Sequence, residues 1–212
     1  MPIDTLLTFV IASALLAFSP GPDNLFVMTQ SAVHGYRAGI FIVLGLCTGL
    51  IIHTMAVAFG VAAIFQTSAL AFTVLKTLGA VYLLYLAWQA FRAGKQDLLE
   101  ADVGLSPKRL YWRGMITNIT NPKVAIFFLA FLPQFIQVDS VSGGAVQPVT
   151  LQLILLGCVF IATALIVFSS IALLAGYLSS HFKRSLRIQL VLNRIAGLVF
   201  VGLAAKLMTS ER

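Results

Sequence analysis

The sequence predicts an all-α integral membrane protein with six transmembrane helices, arranged as two inverted three-helix repeats in which helices 1 and 4 are interrupted by proline. Hydrophobic residues make up 59% of the 212 residues and charged residues only 10%, against about 25% charged in soluble domains. The apolar residues form six runs, each long enough to cross a hydrocarbon core of roughly 30 Å. Prolines with polar neighbours lie inside the first and fourth runs. This length leaves no room for a separate soluble domain.

The six predicted spans are the apolar runs between charged or turn-forming residues. They cover residues 5–30, 39–65, 69–91, 114–135, 149–178 and 191–207. Because the runs lack the two-residue alternation of barrel strands, we expect a helix in each. The chain is then a single transmembrane domain, 1–212, whose parts are a first repeat at 5–91, a cytoplasmic connection at 92–113 and a second repeat at 114–207. Two tandem units of three spans must insert with opposite orientation.

The cations predict the orientation of the spans. Ten of the fourteen Lys and Arg residues fall between spans 1 and 2, 3 and 4, or 5 and 6, or in the first turn of span 6, namely Arg37, Arg92, Lys95, Lys108, Arg109, Arg113, Lys183, Arg184, Arg187 and Arg194. The positive-inside rule places these connections in the cytoplasm, so both termini lie outside it. We therefore expect a multi-pass membrane protein. The net charge of +7 indicates topology and lipid contact, not nucleic-acid binding.

Span 1 contains a polar interruption at residues 19–24, Ser-Pro-Gly-Pro-Asp-Asn. Each proline lacks an amide hydrogen and clashes with a carbonyl one turn back, which frees backbone groups that hydrocarbon cannot satisfy. Such backbone is tolerated where it faces protein or a water-filled cavity. Two plainer alternatives stay open: a kink that only fits the helix to its neighbours, and capping of the restarted helix by Asp23 and Asn24.

Spans 2 and 3 contain few polar groups. His53 either relays protons or makes a hydrogen bond in packing. Gly45 and Gly49 form a small-xxx-small pattern, which lets another helix approach closely. That helix belongs either to the same subunit or to a second copy, so a homodimer stays open. The cysteines, Cys47 and Cys158, have no metal-binding spacing and are expected to pack, so we expect neither a metal nor a cofactor.

Span 4 contains the second interruption, residues 118–123, Asn-Ile-Thr-Asn-Pro-Lys. Asp23 in span 1 and Lys123 in span 4 are the main charges inside spans, and each alone costs at least about 2.5–3.5 kcal/mol at the bilayer centre. Both lie about 15 Å from the cytoplasmic side at 1.5 Å per residue, so they can meet if the two spans cross. Just before span 4, residues 109–113 are expected to lie along the membrane surface as a short amphipathic segment.

The two interruptions predict a site for a zwitterion. Unpaired amides where a broken helix restarts favour an anionic group, whereas Asp23 favours an ammonium group. We expect the amides and Lys123 to bind an α-carboxylate, and Asp23, Asn24 or Asn121 to bind an α-amino group. The predicted substrate-binding residues are Pro20, Gly21, Pro22, Asp23, Asn24, Asn121, Pro122 and Lys123; no catalytic residue is predicted.

Four motifs together resemble one family. They are Ser19-Pro20-Gly21-Pro22-Asp23, Asn121-Pro122-Lys123 with Phe127-Phe128, Leu75-Lys76-x-Leu78-Gly79-x-x-Tyr82-Leu83, and Asn193-Arg194-x-x-Gly197. The chain thereby resembles the LysE/RhtB family of amino-acid exporters, within the LysE superfamily. The resemblance implies a transporter and not an enzyme, which exports amino acids of the threonine, homoserine, leucine or lysine type by proton antiport. Antiport needs a group whose charge changes, and Asp23 and His53 are the proton-coupling candidates.

Three other functions were weighed against amino-acid export. Members of the wider superfamily export cadmium or nickel, but the sequence lacks the paired cysteines or His-rich loop of a soft-metal site. An intramembrane hydrolase could use Ser19, His53 and Asp23, yet neither GxSxG nor HExxH occurs. A channel would need a ring of charges or a repeated carbonyl-lining sequence. Export of amino acids, or of another small solute, is the function that the sequence favours.

Overall fold

A computed structural model of the chain describes residues 3–67, 69–92, 105–136 and 148–177, together with 194, 195, 197, 198, 200–205 and 208. All regular structure within these residues is helical, without a strand. The predicted all-α class is therefore confirmed for the described part of the chain. Much of predicted span 6, 191–207, lies outside the described residues, and those of its residues that are described are helical.

Predicted span 1 consists of two helices, α1 (Ile3–Phe18) and α2 (Pro22–His34), which are bent by 59° at the break. Pro22 begins α2, where a missing amide hydrogen does no harm because the first amides of a helix have no internal partner. Gly35 ends α2 with a φ of +84°, which is a left-handed conformation that favours glycine. The predicted interruption by proline is thus confirmed.

The next two predicted spans, 39–65 and 69–91, correspond to long helices. They are α3 (Tyr36–Thr67) and α4 (Ala69–Arg92). Both contain an uninterrupted apolar run, so nothing in the sequence ends either helix before its predicted boundary. The helices begin and end within a few residues of the prediction.

Predicted span 4 is also broken, into α5 (Pro107–Ile119) and α6 (Pro122–Ile126), with a bend of 50°. A π-helical turn (Phe127–Phe131) and a 3₁₀ turn (Leu132–Phe135) extend α6. The predicted start at residue 114 is too late, because Ser106 caps α5 by accepting a hydrogen bond from the Arg109 amide at 3.4 Å. Residues 109–113 form the first turns of α5, and their position along the membrane surface stays a prediction.

The fifth predicted span, 149–178, corresponds to α7 (Val149–Tyr177). Two stretches, Tyr36–Gly60 and Val149–Tyr177, are long and apolar enough to cross a membrane. The described residues provide up to four such spans if each bent pair counts as one. The architecture is therefore that of a helical membrane protein, and the count of six spans in an inverted repeat stays a prediction.

Glycines allow α3 and α5 to pack closely. A Cβ on Gly45 would collide with the Tyr111 carbonyl oxygen, and one on Gly49 would lie 2.6 Å from Asn118 Oδ1. The neighbour of the small-residue pattern in α3 is therefore α5 of the same chain, so this pattern gives no indication of a homodimer. On its other side α3 packs against α7, and α2 packs against both α3 and α7.

Buried phenylalanines form a dry wall beyond the second break. The Phe127 ring centroid lies 4.8 Å from that of Phe131 and 5.2 Å from that of Phe160. Phe9 of α1 reaches this group through Phe135, at 5.0 Å. The cluster joins α1, α7 and the turns after α6, and so fixes the two broken helices relative to each other.

Candidate functional site

A small cavity lies where the two helix breaks meet. Its volume is about 10 Å³, close to the ~10–15 Å³ that one water molecule requires. Residues from both breaks and from two neighbouring helices line it: Leu16, Ala17, Asp23, Leu50, Asn118, Lys123, Val124, Phe160 and Phe168. The space between the two breaks is therefore the size of one small polar group.

Asp23 places a carboxylate in this cavity. It is 1% exposed and lies in the first turn of α2, where the helix dipole favours negative charge. Its Oδ2 accepts a hydrogen bond of 2.8 Å from Asn118 Nδ2, whereas its Oδ1 has no hydrogen-bond partner. One carboxylate oxygen is thus held by the protein and the other is available.

Lys123 places an ammonium group at the same cavity. It is 6% exposed, and its Nζ donates to the carbonyl oxygens of Ser19 at 2.8 Å and Leu16 at 3.4 Å. These carbonyls end α1, where the dipole favours a cation. The structure therefore brings Asp23 and Lys123 together as expected, but among the described residues the ammonium group bonds to carbonyls and not to the carboxylate. One of its three N–H groups remains.

Asn24 caps the end of α1. Its Nδ2 donates to the carbonyl oxygens of Ala17 at 2.8 Å and Phe18 at 3.1 Å. Pro22 has no amide hydrogen to offer the Phe18 carbonyl four residues back, so Asn24 replaces the missing donor. The alternative in which Asn24 or Asp23 caps the restarted helix is wrong, because α2 has no side-chain cap.

Gly21 lets the Lys123 side chain approach the backbone of the first break. A Cβ at this position would lie 3.0 Å from Lys123 Nζ, closer than van der Waals contact allows. The neighbouring Pro20 removes the usual amide partner of the Leu16 carbonyl, which Lys123 also contacts. The Pro-Gly-Pro segment therefore shapes the break and offers no polar side chain itself.

Asn121 and Pro122 begin the second half of the other broken helix. The Asn121 Oδ1 accepts a hydrogen bond from the Lys123 amide at 3.0 Å, which caps α6, and Pro122 occupies its first turn. The Asn121 Nδ2 is buried and has no hydrogen-bond partner. Because Asn121 uses its acceptor on the backbone, the atom left over is a donor.

His53 of α3 contacts the main chain of the second break. Its Nε2 lies 3.2 Å from the main-chain oxygen of Asn118, the carbonyl that would pair with residue 122 in an unbroken helix. A carbonyl only accepts, so Nε2 carries the hydrogen. The hydrogen bond expected in packing is present, and the relay of protons by His53 stays a prediction.

Asn118 was not among the predicted site residues, although it belongs to the predicted interruption. It contacts Asp23, His53 and the cavity. Two signals in the sequence point to it: its amide is polar inside an apolar span, and it precedes Pro122 by four residues. Ser19, likewise outside the predicted set, contributes the carbonyl that binds Lys123.

Several buried polar atoms around the breaks have no partner. They are Ser19 Oγ, Asp23 Oδ1, Asn24 Oδ1, Asn118 Oδ1 and Asn121 Nδ2. A buried polar group left unsatisfied costs about 1–3 kcal/mol, and such groups are rare in native proteins. They are five of the nine such atoms among the described residues, and their place beside a cavity with both charges suits a polar ligand.

The chain is similar to known bacterial proteins over nearly its whole length. It is 36% identical to the homoserine/homoserine lactone efflux protein of Salmonella typhimurium, over 96% of this chain and 95% of that protein. It is 31% identical to the membrane protein YrhP of Bacillus subtilis, over 95% and 97%. It is 28% identical to the leucine efflux protein of an Enterobacter species, over 94% and 93%. No solved structure matches the chain.

The match to a family covers both helix breaks. The family described as LysE type translocator matches residues 14–211, a range that includes the carboxylate and the ammonium group at the cavity. The resemblance that the four sequence motifs carry is thereby confirmed. The chain belongs to the LysE type translocator family and is a membrane transport protein.

Proposed function

We propose that the protein is a secondary transporter that exports neutral or basic amino acids, of the threonine, homoserine, leucine or lysine type, from the cytoplasm. One observation carries this proposal: Asp23 at one helix break and Lys123 at the other line a single buried cavity, beside polar atoms that have no partner. A zwitterion matches two opposite charges at one site. The relatives named for efflux of homoserine, homoserine lactone and leucine support both the substrate class and the direction.

The buried polar atoms without a hydrogen-bond partner suggest how each end of an amino acid is bound. The α-ammonium group donates to the unpartnered oxygens of Asp23 and Asn24. The α-carboxylate accepts from the remaining N–H of Lys123 and from Asn121 Nδ2. Asn121 thus binds the carboxylate end and not the amino end expected from the sequence, because its free atom is a donor. The remaining members of the proposed site shape the backbone: Pro20, Gly21, Pro22 and Pro122.

Transport requires the two breaks to move apart. A cavity of about 10 Å³ can accommodate an ammonium-sized group but not a whole amino acid, so the present conformation is closed. In the proposed architecture, six spans form two inverted repeats in the bacterial inner membrane, with both termini outside the cytoplasm. Related breaks in the two repeats then meet near the membrane midplane, which is where transporters of this type open alternately to each side.

Coupling to protons follows from the chemistry of Asp23. Its carboxylate can bind a proton or the substrate's ammonium group, and the two compete for the same charge. A cycle in which one replaces the other exchanges substrate for proton. His53 is the second proposed coupling residue, and it acts on Asp23 through the Asn118 peptide that it contacts.

Counterflow in proteoliposomes tests this function. Vesicles containing the purified protein and an unlabelled amino acid are offered the same radiolabelled compound, across a panel that includes threonine, homoserine, leucine and lysine. We expect saturable uptake for at least one member, and export that depends on a pH gradient. Asp23→Asn should abolish coupled export while leaving membrane insertion intact, because an amide cannot exchange a proton.

Asp4→Asn is the matched control, since Asp4 is an exposed carboxylate in the first turn of α1. It should transport like the natural protein. Unchanged coupled export by Asp23→Asn would refute the role of Asp23. Flux that rises in proportion to concentration without saturation would indicate a channel and contradict a carrier.

A further inference from the structure

We infer that Asn118 is a positioning residue for Asp23, and that α3 holds Asn118 in place through Gly49 and His53. The inference rests on the proposed function for its consequence, because a fixed carboxylate is what a substrate ammonium group would bind. The geometry that carries it is independent of any substrate. It also implies that α3, the predicted span 2, contributes residues that support the site.

The Asn118 amide can bind Asp23 in only one orientation. Its Nδ2 lies 2.8 Å from Asp23 Oδ2, and a carboxylate only accepts, so the NH₂ end must face Asp23. The side chain is 0% exposed, and its hydrogen bond to this carboxylate joins α5 to α2. Asn118 therefore decides which carboxylate oxygen is occupied and which one remains for a ligand.

The other end of the Asn118 amide lies against α3. A Cβ on Gly49 would be 2.6 Å from Asn118 Oδ1 and 2.8 Å from Asn118 Cβ, so only glycine leaves room for this side chain. The amide is thus held between Gly49 and Asp23 and cannot rotate freely.

The main chain of Asn118 is held by a second residue of α3. His53 lies one helical turn after Gly49, on the same face of the helix, and its Nε2 contacts the Asn118 carbonyl at 3.2 Å. The Asn121 amide shares this carbonyl at 3.0 Å. Side chain and backbone of Asn118 are therefore held at separate points of α3, by Gly49 and by His53.

A pH titration of the Asp23 carboxyl tests the inference without a substrate. The other titratable groups that act on Asp23 are Lys123 and His53, and both remain in the Asn118→Ala variant. Infrared difference spectra of the purified protein follow the protonated carboxyl, and Asp23→Asn identifies its band. Asn118→Ala removes a hydrogen-bond donor to the charged form of Asp23. A hydrogen bond to a charged group is typically worth about 1.5 kcal/mol or more, so the titration midpoint of Asp23 should move to higher pH by about one pH unit or more.

Conservative variants separate positioning from a general structural effect. Both His53→Gln and His53→Leu remove the titratable group, but only His53→Gln keeps an N–H donor, so His53→Leu should shift the midpoint further in the direction of Asn118→Ala than His53→Gln does. Thr117→Ala, at a half-buried neighbour on α5, should change nothing. An unchanged midpoint in Asn118→Ala, or equal behaviour of the two His53 variants, would overturn the inference.

Binding of radiolabelled leucine and homoserine to the same detergent-solubilised samples tests the link to function. We expect Asn118→Ala to weaken binding by about 10- to 100-fold, the range for a hydrogen bond to a charged group. If the midpoint moves but the natural protein binds no amino acid of the panel, the proposed function fails and the positioning role stands. If the natural protein binds and Asn118→Ala binds equally well, the positioning role is refuted while the proposed function survives.

Discussion

Lys123 and Asp23 show how two opposite charges can be buried together without forming an ion pair. Each lies directly after a proline in the first turn of a restarted helix, and each reaches across to the end of the other broken helix. Lys123 binds the last carbonyls of α1, and Asp23 binds Asn118 near the end of α5. Helix ends thus offset part of the cost of burying both charges, which leaves hydrogen-bonding capacity for a ligand.

The capping role of Lys123 predicts a loss of stability when the charge is removed. Lys123→Met leaves the carbonyls of Ser19 and Leu16 without this donor and leaves Asp23 without a nearby positive charge. We expect a decrease of about 1–3 kcal/mol in the free energy of unfolding, measured by thermal unfolding in detergent. Lys108→Met, at an exposed position of α5, is the control and should stay within about 0.5 kcal/mol. Equal stability of the two variants would show that Lys123 does not cap α1.

At the scale of elements, the close packing of α3 on α5 fixes the second break. Gly45 and Gly49 lie one turn apart on the face of α3 that meets Tyr111 and Asn118. Without side chains on that face, backbone approaches backbone, and α3 can contact the first half of the broken helix along several turns. His53 continues this face toward the break, so packing and site geometry depend on the same contact.

Substitution of these glycines tests the contact. Gly45→Ala places a methyl group against the Tyr111 carbonyl oxygen and 2.8 Å from the Met115 amide nitrogen, where backbone cannot yield easily. We expect overpacking to destabilise the protein by about 1–3 kcal/mol, measured by thermal unfolding in detergent. Gly60→Ala is the matched control in the same helix, because nothing lies within 4 Å of its added Cβ. A destabilised Gly60→Ala with an unaffected Gly45→Ala would contradict this packing.

At the scale of the whole molecule, the closed cavity and the two bends belong to one arrangement. α1 and α2 are bent by 59°, α5 and the segment after it by 50°, and the phenylalanine cluster seals one side of the junction. In the proposed carrier cycle, the helix halves move at these two bends and open the polar site. This is the property that a carrier needs and that a permanently open pore lacks.

The proposed topology makes a prediction for the whole chain. If both termini lie outside the cytoplasm, alkaline phosphatase fused after residue 212 is exported and active, and green fluorescent protein at the same place is dark. A fusion between α4 and α5, at residue 100, should behave in the opposite way, because the positively charged connection stays in the cytoplasm. Fluorescence from the C-terminal fusion would contradict an even number of spans with external termini.

Much of the fold and of the site follows from local rules. Long apolar runs require helices in lipid, and proline inside such runs requires a break, so α3, α4, α7 and both interruptions were predictable. The chemistry of Asp23 and Lys123 was also predictable, because charges inside a span are too costly to keep without a partner or a function. These rules do not predict which donor and which acceptor form each hydrogen bond.

The sequence by itself determined a helical membrane protein with two proline breaks and one charge of each sign at those breaks. Only the tertiary structure decided that Lys123 binds the carbonyls of α1, that Asn24 caps the helix that ends, and that Asn118 holds Asp23. The physical reason is that each of these bonds joins an atom of one helix segment to a group of another segment beyond a break. Which group reaches it depends on how helices cross and where glycine lets them approach.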